Sequence, residues 1–172
     1  MSKKLKEPLP EGRHPQHSET LVFSRTLWGD PQPKGRPRTF RNKHGRIVTI
    51  TPRPTFEWEA FHANAIRLSL QRPTIPRHVP LSFGAVIVWK RPKNRPRYVP
   101  LERWRTGSRW YHPVKPDGDN VIKTIWDTLK RARVYDDDSQ IVRCSFSDWI
   151  AARGEKPHVK IWISEINVEG DK

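Results

Sequence analysis

Apolar and polar positions along this chain change period several times, and each change marks an element. Trp58, Phe61, Ala65 and Leu68 recur at spacings of 3, 4 and 3, which predicts a helix over residues 51–71 with that stripe turned inward. Pro52 and Pro54 fit its first turn, where a missing N–H costs nothing, and Pro73, Pro76 and Pro80 end it. Leu81, Phe83, Ala85, Ile87 and Trp89 alternate with Ser82, Gly84, Val86 and Val88. Both sets are largely apolar, so this strand is expected at the centre of a sheet. A second helix is predicted over residues 119–133, with Asp119 as its N-cap and Val121, Ile122, Ile125, Trp126 and Leu129 as its buried face. Residues 141–149 and 159–163 alternate as strands, and the turn at 153–157 is expected to join them as a hairpin. Leu21–Trp28 and residues 46–51 supply two earlier strands. The order β-β-α-β-α-β-β predicts an α+β fold, a mixed β-sheet flanked by helices in a compact single domain.

Two kinds of segment lack a period. Residues 1–19 are polar and read as a disordered basic N-terminal tail, which leaves the domain at 20–166 and a short C-terminal tail at 167–172. The second kind lies inside the domain. Residues 29–38 form a loop by their prolines and glycines. Residues 90–116 form a long basic arm holding Arg91, Lys93, Arg95, Arg97, Arg103, Arg105, Arg109 and Lys115, with Trp104, Trp110 and Tyr111 between them.

Composition narrows the function. The 172 residues include 33 Lys and Arg against 18 Asp and Glu, a net charge of +15, which points to a polyanionic partner, most commonly nucleic acid. Seventeen prolines exclude a helical bundle over much of the length, and a single Cys excludes a disulfide framework or a Cys-based zinc ribbon. No apolar run approaches the ~18 residues of a membrane span, and no signal-peptide pattern is seen, so neither a membrane nor an oxidising compartment is expected. The charge is uneven. Residues 1–115 hold 24 basic and 7 acidic residues, whereas residues 116–172 hold 9 basic and 11 acidic. An acidic cluster in a chain built to attract anions suits a nuclease, whose metals need oxygen ligands.

Asp117 and Asp119 stand at the mouth of the second helix, and Gly118 between them lets the chain bend both carboxylates together. Asn120 adds a neutral oxygen, and Lys123 lies one turn above Asp119. Asp138 follows Asp119 by 19 residues, beyond the far end of the helix, and reaches the pair only if the chain folds back. Converging carboxylates need a compensating cation. Hard oxygen donors without His or Cys favour Mg²⁺ or Mn²⁺ over zinc. Two readings of these acids stand side by side: a metal site, or a helix cap followed by a solvated turn.

The stretch from His112 to Leu129, with Lys115-Pro116-Asp117-Gly118-Asp119-Asn120 at its centre, and the later Tyr135-Asp136-Asp137-Asp138-Ser139-Gln140-Ile141-Val142 resemble the signature of the RusA-type Holliday junction resolvases. That signature reads K-P-D-x-D-N-x-x-K-x-x-x-D-x-L, then D-D-x-Q followed by an apolar residue and V. Pro33-Lys34-Gly35-Arg36-Pro37-Arg38 is similar to a stretch found near the start of phage-borne members. The resemblance covers about residues 26–166. It implies that Asp117, Asp119 and Asp138 are metal-binding catalytic carboxylates, that Lys123 is the catalytic lysine and that Asp137 is an accessory acid. It further implies a homodimer using Mg²⁺ or Mn²⁺ that nicks opposing strands of four-way DNA symmetrically, in a bacterial cytoplasm or a phage-infected cell. Two departures stand out. Asp148 occupies a position that is often basic, and the arm is longer and more basic than usual.

Among the remaining residues, Lys34, Arg36 and Arg38 are expected to grip phosphates. Arg103, Arg105 and Arg109 of the arm are expected to do the same. Trp104 and Trp110 either stack on unpaired bases or pack against the dimer partner or the sheet. Asp127, four residues after Lys123, either orients it or forms a simple helix ion pair. Together these readings describe a Mg²⁺-dependent nuclease of DNA recombination and repair acting on four-way junctions. The alternatives are a related flap or fork nuclease and a non-catalytic basic nucleic-acid-binding protein.

Overall fold

The strand that is apolar on both faces does take the middle of the sheet. In the computed structural model, which describes residues 17–71 and 73–168, it is β4 (Leu81–Trp89). The chain begins with β1 (His17–Trp28), a small hairpin of β2 (Arg38–Arg41) and β3 (Ile47–Ile50), and helix α1 (Arg53–Ser69). After β4 come α2 (Leu101–Thr106), the two-residue β5 (Trp110–Tyr111), α3 (Gly118–Arg131), a short 3₁₀ turn (Asp138–Gln140), β6 (Ile141–Ile150) and β7 (His158–Val168). The main sheet runs β1-β7-β4-β6-β5, with β6 parallel to β4 and the other pairs antiparallel. This is the expected mixed α+β architecture.

One face of the sheet meets α1 and α3. Phe83, Ala85 and Ile87 of β4, Val159, Ile161 and Ile163 of β7, Ala63 and Ile66 of α1, and Val121, Ile122, Ile125 and Leu129 of α3 form one continuous buried core. The other face is more polar. Leu21, Ser24, Val86, Lys160 and Trp162 border a shallow open hollow there. Trp162 lies across Gly84 so closely that a Cβ at Gly84 would stand 2.1 Å from its ring.

Several expectations change. The segments at 141–149 and 159–163 do not pair as a hairpin, because β4 lies between them. Only β4 is apolar enough on both faces for that slot, so β6 and β7 flank it. The inward stripe of α1 is Thr55, Glu59, His62, Ala63 and Ile66 rather than the apolar one, while Phe61 and Leu68 face solvent. Glu59 accepts a hydrogen bond from Lys34 at 2.9 Å, so a neighbouring loop neutralises what hydropathy alone reads as a surface residue. The α3 N-cap is Asp117 rather than Asp119. The loop at 29–38 ends in strand β2, whose turn uses Gly45 in the left-handed region (φ 73°) and Asn42 Oδ1 accepting from His44 and Arg46. β1 begins at His17 and β7 ends at Val168, which takes residues from both expected tails. The rest of the tails, 1–16 and 169–172, lies outside the described residues. Cys144 is exposed on β6.

The arm is built rather than loose. Arg91 donates to the carbonyls of Trp104 (2.9 Å) and Ala151 (3.3 Å), and its guanidinium lies 3.7 Å above the Trp104 ring. Arg109 donates to Glu155 at 3.0 Å, and Gly107 closes α2 with a left-handed cap (φ 75°).

Candidate active site

Helix α3 has a strongly amphipathic pattern, and its outer face is a ladder of alternating charge. Asp119, Lys123 and Asp127 stand four residues apart, and Lys130 follows within a turn. Asp117 stands at the mouth, and Asp137 and Asp138 sit just past the far end. From Asp119 to Asp127 the helix rises ~12 Å.

The mouth and the far end have different electrostatics. At the mouth, Lys123 Nζ donates to Asp119 Oδ2 at 2.9 Å, and this hydrogen bond holds the Asp119 carboxyl below the usual carboxylate range. Asn120 contributes through its backbone. Its carbonyl accepts from the Lys34 amide at 2.9 Å and from Thr124 Oγ1 at 3.2 Å, so the basic loop is docked on the first turn of α3. Gly118 is packed against β6. A Cβ there would stand 2.6 Å from Phe146 Cε2 and 3.0 Å from Asp148 Oδ2.

At the far end, Lys34 bonds both Asp127 and Glu59. Burial alone would lower the Lys34 pKa, but its two carboxylate partners raise it. Lys130 donates to Asp137 Oδ2 at 2.9 Å and holds that carboxyl well below its ordinary range. Asp138 is the exception. Burial pushes its pKa up, and among the described residues its Oδ1 is buried without a hydrogen-bond partner. The turn that carries it is latched by the buried Gln140. Gln140 Oε1 accepts from the amides of Asp136 and Asp137 at 3.0 Å, and Nε2 donates to the carbonyls of Pro76 and Val79 at 2.9 and 3.2 Å.

The structure therefore joins Asp119 with Lys123 and Asp127 with Lys34, and it leaves Asp138 beside Asp127 and Lys130 rather than at the mouth. Among the described residues, no three His, Cys, Asp or Glu side chains are gathered at metal-ligand spacing. The donor chemistry still suits a magnesium-type cation, which is ordinarily held by one or two carboxylates and completed by substrate phosphates and water. The unpartnered Asp138 oxygen is the kind of buried acceptor such an ion satisfies.

Among the basic residues, Arg36 and Arg38 are exposed beside the β2–β3 hairpin, which also exposes Arg41, Lys43 and Arg46. Arg103 and Arg105 are exposed on α2, with Arg105 3.7 Å from Glu102. Trp104 lies under Arg91, and Trp110 meets Tyr111 edge-on at 6.1 Å.

Sequence reading missed three participants. Glu59 fell on a helix judged by its apolar stripe. Gln140 was visible in the second motif, but its latch role needs the 76–79 loop. Asp148 was visible only as a departure. β6 carries it back to the mouth of α3, where its Oδ1 accepts from Trp89 Nε1 and its Oδ2 lies 3.7 Å from His112 Nδ1.

Comparison with known proteins identifies a family. The family described as "Endodeoxyribonuclease RusA" matches residues 29–164. "Uncharacterized protein YqaN" of Bacillus subtilis (strain 168) is 27% identical over 143 residues, which cover 83% of this chain and 95% of that protein. "Crossover junction endodeoxyribonuclease rusA" of Lactococcus phage r1t is 36% identical over 63 residues, 34% of this chain and 44% of the phage protein.

Proposed function

The chain belongs to the RusA endodeoxyribonuclease family, and from that premise we propose that it is a Holliday junction resolvase, dependent on Mg²⁺ or Mn²⁺, that nicks opposing strands as a homodimer. The observation that carries this reading is the lysine–carboxylate ladder on α3, set in an otherwise basic chain and inside the stretch matched to the family. In this reading Asp117 and Asp119 hold a cation at the mouth of α3, and Asp138 offers its buried oxygen at the far end. When bound, such a cation lowers the pKa of a water and neutralises charge on the scissile phosphate.

The protein's own groups supply the rest. Lys123 keeps Asp119 ionised, and its ammonium stands ready to stabilise charge developing on the phosphate. Lys34 keeps Asp127 and Glu59 paired, which fixes the basic loop to α3. Asp137 serves as an accessory acid that caps the Asp138 turn by accepting from the Ser139 amide at 3.1 Å. Arg36, Arg38 and Arg103 are exposed and able to meet phosphates, Arg105 is exposed beside Glu102, and Arg109 must share its charge with Glu155. The catalytic unit takes in residues 20–166 together with the ends of β1 and β7 at His17 and Val168. Among the described residues no helix is long and apolar enough to cross a membrane, and we assign the enzyme to a bacterial cytoplasm or a phage-infected cell.

The test is an incubation of the purified protein with labelled four-way, flap, fork and plain duplex DNA, with and without Mg²⁺. Paired nicks in the four-way junction, only with Mg²⁺, are expected. Preferred cleavage of flaps or forks would replace the junction assignment with the related-nuclease reading. Sedimentation of the same preparation as a monomer would remove the homodimer.

A further inference from the structure

A cavity of about 430 Å³ opens at the end of the sheet where the parallel strands β4 and β6 both finish. Trp89, the last residue of β4, forms part of its wall, with His112, Tyr98, Pro92 and Pro96, and Asp30 and Lys90, of opposite charge, also line it. Its size falls in the ~300–1,000 Å³ range of small-molecule sites. Crevices at the carboxyl ends of parallel strands are where open α/β sheets bind ligands. The Trp89 and His112 rings are stacked, 5.1 Å between centroids and 28° between planes.

This cavity is tied to the mouth of α3 by one side chain. Asp148 accepts from Trp89 in the cavity wall, and its other oxygen lies 3.0 Å from where a Cβ of Gly118 would stand. Gly118 separates Asp117 from Asp119. A pocket of flat aromatic and proline surfaces, in a chain of net charge +15, one residue's breadth from the candidate carboxylates, has the chemistry for a planar heterocycle carried on a phosphate backbone. We propose that it receives one nucleobase, unstacked from the DNA next to the cleaved phosphate. This rests on the nuclease reading above and adds a specificity site to it.

The experiment measures binding to four-way junctions without metal, in EDTA, with an abasic residue placed in turn at each nucleotide around the crossover. Stacking of a base on aromatic side chains is worth ~1–3 kcal/mol, so one abasic position should weaken wild-type binding about 5- to 150-fold while the others change it little. Tyr98 is partly exposed at 37%, and Tyr98→Ala should remove that penalty whereas Tyr98→Phe should keep it. A second measurement needs no variant. 5-Iodouracil at the sensitive position should photocrosslink to Trp89, Tyr98 or His112. A flat abasic profile, a penalty unchanged in Tyr98→Ala, or a crosslink elsewhere or nowhere overturns the pocket. If the wild type neither binds nor, with Mg²⁺, cuts four-way junctions, the resolvase reading itself fails. If it binds and cuts but the abasic profile is flat, only the base pocket fails.

Discussion

Asp119 is held ionised by Lys123, so at this residue charge and position can be separated by substitution. Asp119→Asn should abolish Mg²⁺-dependent cleavage and leave junction binding intact or tighter, since it removes a ligand oxygen's charge and one repulsive charge near phosphate. Cleavage gels and a binding titration on the same preparation check both halves. Lys123→Ala should slow single-turnover cleavage about 10²–10³-fold, the usual cost of losing one group aimed at developing charge. A change below about threefold would make the lysine a surface residue, because it would fall far short of that range. His62 tests the core rather than the site. Burial lowers its pKa from 6.5 to about 4. In that interval the unfolded chain binds a proton that the folded chain refuses, so stability is full above 6.5 and falls as pH drops toward 4. The loss reaches ~3 kcal/mol, read by urea unfolding at several pH values, and His62→Phe should flatten this part of the profile.

At the scale of elements, packing overrides propensity in two places. Gly84 sits in the central strand, where alanine ordinarily gains about 0.5–1 kcal/mol over glycine. Trp162, its cross-strand neighbour, covers that position, and a Cβ would meet its ring at 2.1–2.3 Å. Gly84→Ala should therefore destabilise by ~1–3 kcal/mol, the cost of overpacking. For a chain of this size that lowers Tm by several degrees, at about 2–4 °C per kcal/mol. In a Trp162→Ala background the same substitution should be neutral or stabilising, a sign reversal that calorimetry reads directly. Helix α1 makes the same point from the other side. Its apolar stripe was legible, but Phe61 and Leu68 point outward because Glu59 is paired with Lys34 and Thr55 Oγ1 accepts from the Gly35 amide at 3.2 Å. The face that turns inward is the one whose polar groups find partners on other elements.

Across the whole molecule, the basic charge divides into residues that bind the protein to itself and residues left for DNA. Arg91 and Arg109 hold the arm together, while Arg103 and Arg105 are exposed on α2, Arg105 with the solvent-facing Glu102 at 3.7 Å. Replacing both exposed arginines with Ala should reduce the slope of log affinity against log salt by up to about 2, at about 0.9 per duplex phosphate contact. Adding Arg109→Ala should lower it by less than a further full contact, because Glu155 already neutralises that side chain. An unchanged slope in the double variant would show that α2 does not touch phosphate.

The sequence by itself determined the local and chemical parts of this protein. Periodicity located both long helices and the central strand. Charge identified a polyanion partner, and the two acidic motifs with their 19-residue separation carried the family. These are properties of short windows and of residue type. Tertiary structure alone decided which strands are neighbours, which face of α1 is inward, and where the acids meet. β6 and β7 are consecutive in the chain but separated by β4 in the sheet. Asp148, a surface-like residue in its strand, is carried to the mouth of α3, while Asp138 stays at the far end, latched by Gln140 to a loop 61–64 residues earlier. The reason is that pairing and burial are contests among all elements at once. A strand's slot depends on how apolar the others are, and a polar group is buried only when some distant residue satisfies it.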